Sequence, residues 1–384
     1  MGRSCFSLSI FLFLIYILTS LPMIKKIDWY ILGKFFTTFI FCMLLFTVIA
    51  VAVDSSEKTD DFVKTGLSTY QIIKLYYVGF VPFIWGMLYP LFVFIAVIFF
   101  TSKMALRSEV IAILASGTSY NRWLRPYLIG GIFFAIGLWF ALRYGIPKAN
   151  EVRGSFQTNY LDKDDPSKAY RSSVYYMRVD ANTYVGLRYY DTAAKAANGF
   201  FLEKVRNNKI YYNLRAERLV WDTLKKNWQL LNVTERKIDS VQETVKMIPQ
   251  MNLNLNFKPK DLRKDEYLKD KLTTPELNTF IQLEELRGSE GLNALKVEKY
   301  RRSSTPATVV LLTLIGAVMA GRRTRGGSGL HLATGIIIAA VFIVSDRFST
   351  VFSVKGDLPP ALAAWMPNIV FSFVALYLYL KAPK

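Results

Sequence analysis

The chain alternates between two textures: long uncharged apolar runs towards both ends and a polar middle with a period of two. Phe35–Val53 is 19 residues without a charge. Leu75–Ser102 is a second run, interrupted by Pro82 and Pro90, and Pro126–Leu142 is a third, extended past Arg143 to Pro147. Ser303–Gly321, Gly326–Ser345 (running on to Phe352) and the 23 residues Leu358–Leu380 follow. A helix needs about 17–25 such residues to cross a hydrocarbon core. The pattern therefore predicts a polytopic α-helical membrane protein with six transmembrane helices. Tyr76, Tyr77 and Trp85 mark an interfacial start to the second span, and Pro90 predicts a kink in it. Ser4–Ile24 is also apolar, but Lys25, Lys26 and Lys34 follow at once. Signal cleavage would leave those lysines outside, against the positive-inside rule. Residues 1–22 are read as an N-terminal extension ahead of Met23, with an extra apolar helix as the alternative.

Between about Lys148 and Arg302 the pattern switches to alternation. Met251-Asn252-Leu253-Asn254-Leu255-Asn256-Phe257 is a period-two strand. Ser173–Val179, Thr183–Tyr190, Phe200–Val205, Lys209–Leu214, Arg218–Trp221 and Trp228–Thr234 also read as strands, with a turn at Asp222–Asn227. Short antiparallel strands of this kind imply a sandwich or partly open barrel. Tyr184, Leu187, Tyr211, Leu214, Trp221, Trp228, Leu253 and Phe257 would supply its interior, either as a packed core or as an acyl-chain groove. Thr274 as N-cap and Pro275 at the first helical position predict a helix to about Arg287, and a second polar helix covers Leu292–Arg302. The expected plan is an extension at 1–22, three spans in 23–147, a β domain at 148–273, connecting helices at 274–302 and three spans in 303–384.

Charge orients this plan. Lys25, Lys26, Lys34, Lys103, Arg107, Arg122, Arg125, Arg322, Arg323, Arg325, Lys381 and Lys384 fall on one side, twelve in all, against five on the short loops of the other: Lys58, Lys64, Lys74, Arg347 and Lys355. The first side is expected to be cytoplasmic and the β domain outside. The net charge of +19 fits anionic lipid and this asymmetry better than nucleic acid, for which no basic-aromatic motif stands out. Cys5 and Cys42 lie in apolar runs, and His331 is the sole histidine, so a disulfide, a metal site or a histidine-based triad is not expected. There is no Gly-x-x-x-x-Gly-Lys-Ser/Thr phosphate loop. No catalytic residue and no cofactor is expected.

One stretch fits neither texture. Arg107–Thr118 reads as a two-turn amphipathic helix between the second and third spans, with Ser108 as N-cap and Gly117 as the residue after the C-cap. Val110, Ile113, Leu114 and Gly117 form one stripe; Glu109, Ala112 and Ser116 form another. Too short to persist alone in water, it needs either the membrane surface or a partner groove.

The chain resembles the LptF/LptG (YjgP/YjgQ) permeases of the bacterial lipopolysaccharide exporter from Met23 onward. The resemblance rests on Asp28-Trp29-Tyr30-Ile31, Arg107-Ser108-Glu109 with Ala115-Ser116-Gly117, and the 3 + β + 3 plan. Thr274-Pro275-Glu276-Leu277 ahead of Glu298-Lys299-Tyr300-Arg301, and Leu358–Asn368, complete it. It implies a periplasmic jellyroll-like domain and an inner-membrane location. The implied partners are a second LptF/LptG-type permease, a cytoplasmic LptB-like ATPase dimer and LptC/LptA-like bridge proteins, and the implied cargo is lipopolysaccharide. By the same resemblance Arg107–Thr118 is the coupling helix. Glu109 would pair with a basic residue of the ATPase, while Val110, Ile113 and Leu114 fill its groove. One departure is the outside end of the first span, Asp54-Ser55-Ser56-Glu57-Lys58, where only Lys58 is basic.

An anionic glycolipid needs cations at a cavity rim. Arg143, Lys148, Arg153 and Arg347 lie near the outside ends of the third and fifth spans, and arginine can bind two phosphate oxygens at once. The alternative is that each snorkels to the interface. Asp346 and Arg347 sit in an apolar segment and, as helix neighbours, should seek different partners. Other readings of the chain are a structural anchor for an envelope complex, another lipid or lipoprotein permease, and a membrane lipid enzyme. The last would require a nucleophile, base or metal cluster.

Overall fold

A computed structural model describes residues 25–161, 175–191, 194–207, 209–223, 225–239, 242–255, 257, 259, 268–287, 291–322 and 327–382. The apolar run at 4–24 lies outside the described residues, as do Arg323 and Arg325. The chain divides into two compact units, one made of everything up to Arg153 and from Lys296 on, the other of Gly154–Leu295.

The first unit is helical. Its elements are α1 (Lys26–Glu57), α2 (Thr59–Lys64), α3 (Thr69–Leu106), α4 (Glu109–Ala115) and α5 (Tyr120–Leu161), the last continuing into the second unit. Among the described residues six helices are long and apolar enough to cross a membrane: α1, α3, α5 and three after the β domain. α5 is longer than the sequence pattern suggested and carries on past residue 148, where the β domain was expected to begin. Proline normally breaks a helix by clashing with the carbonyl four residues earlier. For Pro147 that carbonyl belongs to Arg143, inside a π-helical turn at Ala141–Gly145, and the wider turn makes room for the ring.

The bundle core follows α1's four-residue spacing. Ile31, Phe35 and Phe39 are buried on one face. Phe35 and Phe39 meet Phe134 of α5 with ring centroids 4.9 and 4.3 Å apart. A Cβ on Gly130 would come within 2.6 Å of the Phe35 ring, so α5 needs glycine there. α1 is otherwise thinly covered, far less buried than α3.

The second unit is a sheet of six antiparallel strands: β1 (Tyr175–Asp180), β2 (Thr183–Asp191), β3 (Ala196–Arg206), β4 (Lys209–Asp222), β5 (Asn227–Ile238) and β6 (Glu243–Leu253). They pair in sequence order, a meander without the Greek-key crossings of a strict jelly roll. Two expected strands, Lys209–Leu214 and Arg218–Trp221, are one. β4 runs straight through Arg215–Glu217, because its partners on both sides, β3 and β5, span that point. Leu187, Leu214, Trp228 and Phe257 are buried as expected, whereas Tyr184 and Tyr211 are exposed. Trp228 donates its indole N–H to the Phe257 carbonyl at 2.9 Å, closing the core over the end of β6.

α6 (Leu268–Lys271) and α7 (Thr274–Arg287) follow. The cap of α7 is Thr273, not Thr274: its N–H and hydroxyl both donate to Glu276, at 2.8 and 2.6 Å, half of a capping box that Pro275 leaves undisturbed. α8 (Leu292–Ala320) merges the expected polar helix and the fourth span into one rod. α9 (Gly327–Lys355) and α10 (Pro360–Leu380) complete the chain. In the membrane segments polar groups bind helix to helix. Thr308 donates to Asn368 at 2.8 Å, Asn368 to the Ser304 carbonyl at 2.9 Å, and Ser349 to the Ala363 carbonyl at 2.7 Å.

Candidate functional site

At one end of the helical unit the chain leaves α3, turns, forms α4 and enters α5. Ser108 makes the turn in the left-handed region, at φ 61°, and its side chain does not cap the helix. The expected N-cap position is thus met by backbone geometry instead of a side-chain bond. Gly117 does what its type predicts. It follows the C-cap at φ 84° and gives its N–H to the Leu114 carbonyl at 3.1 Å.

Glu109 opens α4 and turns towards α1. One carboxylate oxygen, Oε2, accepts from the Tyr30 hydroxyl at 2.9 Å and from Lys34 Nζ at 3.0 Å. The other, Oε1, lies 3.9 Å from an Arg107 nitrogen. Lys34 also stands 4.1 Å over the Tyr30 ring. Burial pushes the Glu109 carboxyl up, but the bonds from Lys34 and Tyr30 outweigh it and hold the group below its usual range.

The apolar stripe of α4 is where expectation and structure part. Val110 is buried in the bundle core, and Ile113 and Leu114 pack against it half-buried. A seven-residue helix has little stability of its own, so its most apolar face is spent on its own bundle. The face left outward carries Ile111, Ala112, Ala115 and Ser116.

Beside α4, Asp28 is gripped by Arg122 of α5 through both guanidinium nitrogens, at 2.7 and 2.6 Å. Its carboxylate also accepts the Lys25 N–H at 2.8 Å, capping α1. In the sequence, Asp28-Trp29-Tyr30-Ile31 is a pattern only. That Asp28 and Tyr30 serve α5 and α4 was not legible, although Tyr30 and Lys34 do share a helix face at i, i+4.

The four expected headgroup cations occupy separate positions. Arg143 lies 5.1 Å from the Trp139 ring and donates to the Tyr144 hydroxyl at 3.0 Å. Arg153 stacks 3.7 Å from Phe83. Lys148 and Arg347 are exposed. Asp346 and Arg347 do take different surroundings, since Asp346 pairs with Arg301 of α8. Lys58 pairs with Asp54 at 2.9 Å and also meets the Tyr76 hydroxyl, which itself donates to Asp54 at 3.1 Å. A shallow, wholly apolar groove of about 260 Å³ runs between α5 and α8, lined by Ile132, Ala135, Ile136, Trp139, Pro306 and Val310. Among the described residues no cluster of histidine, cysteine, aspartate and glutamate could hold a metal ion.

The sequence matches the family model described as lipopolysaccharide export system permease LptF/LptG over residues 29–381. A search of curated proteins found no match.

Proposed function

Since this chain belongs to the LptF/LptG family of lipopolysaccharide export permeases, a transport family and not a catalytic one, we propose the following division of labour. The chain is one permease subunit of an ABC-type exporter in the bacterial inner membrane. It pairs with a second permease of the family, extracts lipopolysaccharide from the membrane and passes it to LptC/LptA-like bridge proteins in the periplasm. A separate cytoplasmic LptB-like ATPase dimer supplies the energy.

The observation that carries this reading is α4, a short helix between two spans, anchored by Glu109 and Val110 and presenting Ile111, Ala112, Ala115 and Ser116 outward. The motor-contacting segment is Ser108 to Gly117, where a cation of the motor would compete with Arg107, 3.9 Å away, for Glu109 Oε1. Two further features support the reading. α1 and α9 are the least buried of the described spans, and they expose Phe41, Leu44, Val48, Ile337, Val341 and Phe348. Such faces suit a second permease around a lipid cavity. β6 is largely exposed and lies at a sheet edge, a form that accepts an added strand from a bridge protein. Arg143, Lys148, Arg153 and Arg347 would meet the phosphorylated head.

The test is affinity purification from native membranes followed by mass spectrometry and a lipid-stimulated ATPase assay. An ATPase, a second six-span permease and a phosphorylated glycolipid in the eluate are the expected result. A chain that emerges alone and without hydrolytic activity overturns the reading.

A further inference from the structure

Beyond the packing of Val110, Ile113 and Leu114, α4 is tied to the bundle by two residues of α1. Tyr30 and Lys34 lie one turn apart on α1 and converge on a single oxygen of Glu109, at 2.9 and 3.0 Å. The lysine is braced in turn over the Tyr30 ring. The three groups are neither fully exposed nor sealed: the Lys34 and Glu109 side chains keep 29% and 24% of their surface, so the pair can open without stranding a buried charge.

The helix that receives this grip is the least enclosed span of the bundle. Its same end is pinned to α5 by Asp28 and Arg122. α4 follows α3 after only Arg107 and Ser108, so it moves with α3 unless that turn yields. A displacement of α4 must therefore pull α1 through Glu109 or break the contact.

We infer that Tyr30 and Lys34 are positioning residues for energy coupling: they form a latch that makes α1 follow α4. This rests on the proposal that α4 docks on a motor. The carboxylate of Glu109 works on two sides, with Oε2 held by α1 and Oε1 only loosely paired, 3.9 Å from an Arg107 nitrogen, so that a motor cation can compete for it. Lys34 transmits displacement and takes no part in docking.

The experiment uses the full chain in the exporter purified from its own membranes and reconstituted in vesicles. Two quantities are read: ATP hydrolysed, and lipopolysaccharide released per ATP. Lys34→Ala is expected to keep the ATPase bound and hydrolysing while release per ATP falls roughly five-fold or more, the range of a coupling interaction. Lys34→Arg, which keeps the charge, restores most of it. Tyr30→Phe removes one donor and gives a smaller loss; it also serves if Lys34→Ala does not accumulate. Unchanged release per ATP in both Lys34→Ala and Tyr30→Phe overturns the latch. So does a Lys34→Ala exporter that sheds its ATPase, because that lysine would then only shape the docking surface. A wild-type chain that binds no ATPase at all instead overturns the functional reading on which the latch depends.

Discussion

Arg122 holds Asp28 in a two-pronged ion pair, at 2.7 and 2.6 Å, that joins the first turn of α1 to the first turn of α5. The Asp28 side chain keeps 5% of its surface and Arg122 20%. Removing one partner leaves the other charge in a site that water reaches poorly. Arg122→Ala is expected to destabilise the helical unit by about 3 kcal/mol, read as a lowered unfolding temperature in detergent. Asp28→Ala should cost at least as much, because it also removes the α1 cap. A wild-type transition in Arg122→Ala would show that the pair contributes nothing net.

Glu109 gives a pH prediction. Its carboxyl titrates below the ordinary value of 4.5, because the bonds from Lys34 and Tyr30 outweigh burial. A depressed carboxylate stabilises the fold at every pH above its ordinary value, and that contribution is lost as pH falls through the lowered one. The α4–α1 contact should therefore survive mild acid and open only below pH 4.5. The carbon-13 shift of the Glu109 carboxyl, followed against pH, reads this directly. In Lys34→Ala the midpoint should rise, since burial remains and a cation is gone. A wild-type midpoint at or above 4.5 contradicts the geometry.

Gly79 is a close-approach site between α3 and α5. A Cβ there would stand 2.4 Å from the Ala149 carbonyl oxygen and 2.7 Å from the Arg153 nitrogen. Both obstacles are backbone, so no side chain can swing aside. Gly79→Ala should destabilise the helical unit by about 1–3 kcal/mol, even though alanine is the better helix former. Gly33, with open space around its Cβ direction, is the control and should gain slightly on the same change.

Trp228 combines complete burial with a bond to the Phe257 carbonyl. Trp228→Phe keeps most of the volume but leaves that carbonyl short of a donor, an expected loss of about 1–3 kcal/mol. Trp228→Ala adds a cavity and should reach about 3–5 kcal/mol. Chemical unfolding followed by tryptophan fluorescence separates the two, and equal losses would mean that the hydrogen bond does not matter.

Uncharged length revealed the six spans because backbone in hydrocarbon has few alternatives to a helix. Period-two alternation revealed β2 to β5 for a similar reason, since one face of the sheet is dry there. The strand read at Met251–Phe257 is instead only the end of β6, Glu243–Leu253, whose largely exposed body leaves no such alternation. What the pattern could not supply was the choice between equivalent partners. The stripe Val110, Ile113 and Leu114 is as suitable for a foreign groove as for the chain's own core, and its own core was nearer. Glu109 was legible as an acid at a helix start, but the lysine that hydrogen-bonds it sits 75 residues upstream, beyond any local signal. The run of α5 past Pro147 was hidden for a different reason, since a π turn has no sequence signature as plain as the proline it accommodates.

The sequential strand order also has a consequence in time. Every pairing in the sheet joins a strand to the one made just before it, so loop closures are short and the contact order of this domain is low for an all-β fold. The sheet can zip up behind the growing chain as it emerges, with no strand waiting for a distant mate. The last partner in chain order is Phe257, whose carbonyl accepts the Trp228 indole N–H. All of this precedes synthesis of α8, so the sheet can be complete before the second half of the membrane bundle exists.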